Sequence, residues 1–257
     1  TAWGKTSAEC EANSLKIIAE CESFIKKQGK KEPLGKKIIA NKPLSPLNRK
    51  VRAAALAPAI RAIASTDKIQ VGHFSDSPAV LEFLEHEKHH DLVPLGTSCP
   101  DHFLRTKVKP LLLDLPPGVP VEQAIERLRK LHEKYRNDYK SYYTKHASKD
   151  SPPMRGADPA IVLVPGVGMF SFGVNKQTAR VAGEFYTNAI NVMRGAEAIS
   201  RYKPIDDVEK FRIEYWSLEE AKLQRMPRPK PLQGRIAMIT GAESGIGKAI
   251  AQRLSQE

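Results

Sequence analysis

The sequence predicts an α/β protein built in layers. Short β-branched runs alternate with longer amphipathic stretches, an apolar run at 160–173 (AIVLVPGVGMFSFG) is broken by a glycine turn, and a second strand, glycine turn and helix pattern closes the chain as GRIAMITGAESGIGKAIAQRLSQE. Alternation of this kind lays helices on the faces of a sheet. With 257 residues, 41% of them hydrophobic, there is material for one large or two modest cores. No run approaches the roughly 18 uninterrupted apolar residues of a membrane span.

In chain order, Leu15, Ile18 and Phe24 fall near one face of a helix over 7–27, entered through a short strand and with Ser7 as its expected cap. The Gly-, Pro- and Lys-rich stretch 29–46 reads as a loop with one extended piece around KKIIA. An alanine-rich helix is expected over 47–64, a strand at 69–73 and a helix over 77–87 with Ser77 as cap and Pro78 as first position. A strand at 110–114 follows the GTSCPDHF loop, and PPGVP leads into a long helix from Val121 to about His146. Tyr135, Tyr139, Tyr142 and Tyr143 recur at helical spacing among basic residues; this marks a packed face rather than a base-stacking platform. After the surface loop 147–158 come the two strands of 160–173 and a helix over 176–199. A helix lies within 203–223, with Tyr215 and Trp216 as docking aromatics, and MPRPKPLQG is a semi-extended connector.

A net charge of +12 raises nucleic-acid binding as a possibility. The basic residues are only loosely clustered, however. Lys26, Lys27, Lys30, Lys31, Lys36 and Lys37 surround one loop, and Arg225, Arg228, Lys230 and Arg235 occupy the connector, so a solvated surface is the expectation. Three cysteines, Cys10, Cys21 and Cys99, show no metal-type spacing and suit a reducing, cytoplasmic compartment.

The most specific motif is TGAESGIG, Thr240 to Gly247, directly after the apolar run RIAMI. Gly241 permits the tight exit from the strand, Gly245 lets backbone approach the pyrophosphate, and Gly247 allows close packing of helix on strand. Amides near Ile246 would offer donors and a positive dipole to phosphate. The motif resembles the TGxxxGIG turn of short-chain dehydrogenases, a Rossmann fold, and the resemblance implies NAD as cofactor. It implies that Thr240, Gly241, Ser244, Gly245, Ile246 and Gly247 bind it, with Ser244 near the adenosine ribose or its phosphate. The acid that holds the ribose is expected about 20 residues beyond the glycines, and the family's catalytic Ser, Tyr and Lys further on.

A second resemblance covers the preceding part. PAIVLVPGVGMFSFGVNKQTARVAGEFYTNAI is similar to the strand, Gly-His-Gly turn and helix of the class II aldolase and adducin family, with Val167 where a metal-binding histidine would stand. The opening TAWGKTSAECEANSLKII is similar to 170–187 in pattern, a glycine followed by a polar turn and a helix, which suggests one unit used twice. Thr97 and Cys99 sit where the family's His-x-His pair would fall. No metal ligand is therefore assigned within this chain, and a divalent metal, zinc, is expected in an aldolase half outside it. The expected domains are the end of a first aldolase-like copy at 1–45, a degenerate second copy at 46–223, a linker at 224–234 and the start of a Rossmann domain at 235–257. Together these resemble bifunctional rhamnulose-1-phosphate aldolase and alcohol dehydrogenases of L-rhamnose catabolism. The resemblance implies a segment of a larger cytoplasmic homo-oligomer acting on a phosphorylated sugar and a small aldehyde, without nucleic-acid or membrane partners.

Two other readings stay open: a dehydrogenase whose aldolase-like part is only scaffold, and an adducin-like binding module without catalysis. A third feature needs placing. His86 and His90, four residues apart beside His89, Glu82, Glu85 and Glu87, would share one face of a continuous helix as zinc ligands do, with His102 or Asp101 folding back. Cys99 and His102 could pair a thiol with an imidazole, although no third member can be named. Surface or packing roles are the expectation for both groups.

Overall fold

The computed structural model describes residues 1–29, 32–38 and 44–257. Lys30, Lys31 and the last two residues of the expected extended piece at KKIIA lie outside them. The elements in chain order are α1 (Ser7–Gln28), α2 (Pro46–Ile63), β1 (Val71–Ser75), α3 (Pro78–Glu85), α4 (His89–Leu92), α5 (Phe103–Thr106), β2 (Leu111–Leu112), α6 (Val121–His146), β3 (Ile161–Val164), β4 (Gly168–Gly173), α7 (Lys176–Ile199), α8 (Asp207–Glu214), α9 (Ser217–Gln224) and α10 (Gly245–Gln256).

The four strands form one mixed sheet in the order β1-β4-β3-β2. β4 runs antiparallel to both β1 and β3, and β2 joins β3 in parallel. Every residue of β3 and β4 is buried, as expected of strands covered on both faces. Their alternation sorts side chains into two cores. Ile161, Leu163 and Met169 meet Val80, Phe83, Tyr186, Ile190 and Met193 beneath α3 and α7. Val162, Val164, Phe170 and Phe172 meet Leu56, Ile60, Ala124 and Leu128 beneath α2 and α6. The result is a sheet between two helical layers.

The hairpin joining β3 to β4 is a tight turn at Val164-Pro165-Gly166-Val167, where the Val167 N–H donates to the Val164 carbonyl at 3.0 Å. Proline presets the second position and Gly166 takes a φ of +72°, the left-handed value a type II turn requires at its third. The loop after α6 is fastened by charge. Arg136 grips Asp67 through two hydrogen bonds of 2.9 and 3.0 Å and also reaches Asp158, which receives His132 at 3.0 Å and the Asp67 N–H at 2.8 Å. Burial raises the Asp158 carboxyl, but the bonds from His132, Thr66, the Asp67 amide and Arg136 outweigh it and hold it well below the usual range.

Several expectations shift. α1 is capped by Thr6, whose Oγ1 accepts from the Glu9 N–H at 3.1 Å; Ser7 is the first helical residue. Residues 1–4 form no strand, and β2 shrinks to two residues, because a strand exists only where a neighbour supplies its ladder. The same reason applies at 235–239. RIAMI has a strand's composition, but among the described residues nothing pairs with it, and Ile236 and Met238 are 69% and 93% exposed. The 203–223 segment divides into α8 and α9 at Tyr215, which is buried while Trp216 is half exposed. The tyrosines of α6 pack as expected, with Tyr143 and Tyr142 against Phe211 at ring separations of 5.7 and 5.9 Å.

The two-core arrangement predicts that Leu163→Ala, at a fully buried site, lowers unfolding free energy by roughly 2–5 kcal/mol. Leu15→Ala, on exposed α1, should change it by no more than about 0.5 kcal/mol. Urea titrations of the two variants beside the parent check this, and similar losses from both would contradict the assignment of the core.

Candidate functional site

The glycine motif folds into a turn at the head of α10. Gly241 and Gly245 both take left-handed φ values, +65° and +52°, and their α-carbons face open space, so bare backbone is approachable there. Gly247 is enclosed: a Cβ on it would lie 2.3 Å from the Gly241 carbonyl oxygen and 3.1 Å from that of Thr240. The helix therefore begins against the backbone of its own turn, and no side chain larger than hydrogen fits. Ser244 stands at the N-cap with extended backbone, yet its hydroxyl caps no amide of the helix. The first-turn N–H groups and the Ser244 hydroxyl thus remain available to an anion, as a pyrophosphate site needs. Thr240, Gly241, Ser244, Gly245, Ile246 and Gly247 are gathered within this one turn, with Ile246 81% exposed beside it. The connector leading to it is tied to the main body by Arg61, which donates to the Gln70 and Gly234 carbonyls at 2.8 Å each.

At the aldolase-like turn, Val167 is fully buried and packs with Val162, Val164 and Phe170 in the core beneath α2 and α6. An apolar side chain with apolar neighbours fills the place where a ligating histidine would stand. Thr97 and Cys99 form a closed local turn, in which Thr97 Oγ1 donates to the Cys99 carbonyl at 3.1 Å and accepts its N–H at 3.2 Å.

His86 and His90 do not share a helix face. α3 ends at Glu85, and His86 has extended backbone (φ −111°, ψ 149°) because it bridges to Lys37, with Ile38 N–H donating to Glu85 and Glu87 N–H to Lys36. The ring nitrogens are turned to main chain, His86 Nδ1 to the Glu82 carbonyl and His89 Nδ1 to the His86 carbonyl, each at 2.7 Å. His102 stacks on Phe185 at 4.7 Å. Among the described residues no three His, Cys, Asp or Glu side chains gather as a metal site.

The family described as aldolase class II, second domain, matches residues 51–223. The chain belongs to this family. The Bacillus subtilis (strain 168) protein named "Uncharacterized oxidoreductase YuxG" is 32% identical over 257 residues, which is 99% of this chain and 37% of that relative. The chain thus spans little more than a third of the length of the relative it matches. No solved structure matches closely enough to compare. Among the described residues no helix is long and apolar enough to cross a membrane.

This second domain also holds a buried polar cluster that the sequence does not reveal. Lys107, just past α5, is the one non-glycine residue among those described with a left-handed φ (+58°), a conformation that costs a side chain energy unless its surroundings enforce it. Its ammonium donates to the Gly156 carbonyl at 2.7 Å and lies 4.1 Å from the Tyr139 ring centroid. The Tyr139 hydroxyl donates to Glu214 Oε1 and meets the Tyr215 hydroxyl at 2.9 Å, while Arg155 binds the Glu214 carbonyl and reaches Glu220 at 2.8 Å. Burial pushes the Glu214 carboxyl up and the Lys107 amine down, and each charge partly restores the other. The cluster joins α5, α6 and α8. Its members are 32 and 75 positions apart along the chain, reckoned from Tyr139 to Lys107 and to Glu214, so no local pattern marks them.

His89 provides a pH test of the histidine assignment. Burial drives its pKa down to about 4, with the bond to the His86 carbonyl opposing and the charge of His90 adding to the fall. The folded state then holds His89 neutral while the unfolded chain takes up a proton below about 6.5. Stability is complete above that value, declines as pH falls toward 4, and loses roughly 3 kcal/mol from this group. His89→Leu should flatten the decline in urea titrations between pH 7 and 4; an unchanged slope would show that His89 is not buried in neutral form.

Proposed function

We propose that this chain is a segment of a bifunctional enzyme that cleaves rhamnulose-1-phosphate to dihydroxyacetone phosphate and lactaldehyde and oxidises the lactaldehyde with NAD. The observation that carries the reading is the order of its parts. A class II aldolase second domain is followed, across a short connector, by a glycine turn whose enclosed Gly247 and uncapped helix start suit a dinucleotide pyrophosphate. The second domain, with Val167 in its core at the turn where the resemblance puts a metal ligand, serves as scaffold and helps copies of the enzyme associate. Cleavage belongs to a zinc-bearing aldolase unit and oxidation to the dehydrogenase domain that the turn opens. A bound NAD would supply the hydride acceptor. The residues of this chain contribute amide donors, the Ser244 hydroxyl and bare backbone at Gly241 and Gly245. The name of the Bacillus relative, an oxidoreductase, also favours a narrower reading in which only the dehydrogenase is active.

The native polypeptide should form NADH from lactaldehyde and release dihydroxyacetone phosphate from rhamnulose-1-phosphate, with only the second activity lost to a chelator. Gly247→Val should lower NADH formation by roughly 100-fold, because displacement of the turn by about 1 Å misplaces the cofactor. It should leave aldol cleavage intact. NADH formation without cleavage would support the dehydrogenase-only reading, and absence of both would overturn the enzyme assignment. Residues 1–257 alone should do neither.

A further inference from the structure

The connector that follows α9 has the composition of a preformed ligand. Residues 226–231 read MPRPKP, and positions 222–233 are exposed throughout. Pro227, Pro229 and Pro231 each fix φ at about −65° and turn the residue before them away from helix, so the segment is set toward a left-handed polyproline II helix. That helix repeats every three residues, which places Met226 and Pro229 on one face and Arg228 on the next. A partner that binds it has little ordering left to impose.

Where the connector starts, the surface carries a groove of about 690 Å³. It is lined by α9 through Glu220 and Gln224, by the loop 148–152, and by the rings of Phe211, Tyr215 and Trp216. These walls are fixed in advance. Phe211 stacks on Tyr215 at a ring separation of 4.7 Å, the Tyr143 hydroxyl donates to the Pro152 carbonyl at 2.6 Å, and Arg155 binds Glu220 at 2.8 Å. Trp216 is nevertheless 51% exposed, and α9 buries none of its residues. Charge in the groove is unevenly matched. Arg212 is engaged by Glu209 at 2.6 Å and Glu220 by Arg155, which makes Asp150 the acid of the groove that no cation among the described residues engages.

Aromatic-lined grooves are the surfaces on which polyproline II segments dock, and an unmatched acid selects a segment that carries a cation. We propose that this groove binds residues 226–231 of a second copy, and that two copies exchange their connectors. Met226 and Pro229 then lie on the rings, and Arg228 reaches Asp150. The connector of the same copy does not suit the groove. It leaves from Gln224, at the end of α9, so it would have to double back over that helix, and Arg61 holds the Gly234 carbonyl at 2.8 Å beside Ile69. Because each connector starts at the end of its own groove, a two-fold axis there gathers both exchanged segments into one interface. Docking of the first makes docking of the second effectively intramolecular. The exchange holds whichever reaction the whole protein performs.

With Trp3→Phe, Trp216 is the sole tryptophan of the chain. Sedimentation velocity and Trp216 fluorescence of this 257-residue chain over a dilution series test the exchange. The chain should dimerise, with Trp216 emission moving to shorter wavelength as the dimer forms. Pro227→Gly, Pro229→Gly and Pro231→Gly combined, and separately Asp150→Lys, should each weaken the dimer at least tenfold. All four positions are exposed, so the fold should withstand the changes. A synthetic peptide of residues 226–231 should shift the emission of the dilute monomer in the same direction. A chain that stays monomeric, a dimer insensitive to either substitution, or an emission blind to the peptide would overturn the proposal. Emission already shifted and independent of concentration would also overturn it and make the chain's own connector the occupant.

Discussion

The structure depends on a hairpin buried on both faces. β3 and β4 have no solvent side, so each residue must serve one of two cores, and a slip of a single position would exchange them. The turn at Pro165 and Gly166 prevents that slip, because the left-handed φ of Gly166 fixes where the chain reverses. The helical layers follow from it: α7 and α3 close on Leu163 and Met169, and α2 and α6 close on Val162 and Phe170. Val167 belongs to this arrangement. It sits in the turn itself and contributes to the second core, where an imidazole would need a polar partner or a metal to offset its burial. At this position the hairpin favours packing over ligation.

The buried polar cluster plays a comparable part at the other end of α6. Tyr139 ties Glu214 of α8 to the long helix, Lys107 brings a positive charge beneath the tyrosine ring, and Arg155 closes the group from the loop before β3. A carboxylate and an ammonium removed from water are costly singly, and removing either partner leaves an uncompensated charge. The left-handed backbone at Lys107 is the local cost of placing its amine there.

What could be read from the sequence follows from how far apart the deciding contacts lie. α6 and α7 begin and end where the sequence pattern places them, at Val121, His146, Lys176 and Ile199, because long helices carry their apolar face and caps in local order. The paired strands 161–164 and 168–173 are equally plain from an unbroken apolar run around a Pro-Gly turn. The histidine group was not legible, since α3 ends at Glu85 through pairing with residues 36–38, far away in sequence. The cluster of Lys107, Tyr139 and Glu214 is long-range throughout. In the candidate cofactor turn, the atoms that enclose Gly247 belong to Thr240 and Gly241, so this tight approach needs no distant element.

That locality also limits what the turn can do. A helix start attracts an anion by about 0.3–1 kcal/mol when exposed and up to about 2 kcal/mol when partly buried, whereas micromolar affinity requires roughly 8 kcal/mol. The turn is exposed, and the strand it should leave, 235–239, has no ladder among the described residues. For a dinucleotide, ribose and adenine contacts would therefore have to supply most of the binding energy, and such contacts arise where neighbouring strands of a parallel sheet end side by side. Pairing of 235–239 in such a sheet would bury Ile236 and Met238 and seat the glycine turn at the sheet's edge. A dinucleotide bound here would take the register of its phosphates from the turn and its affinity from a sheet formed around it.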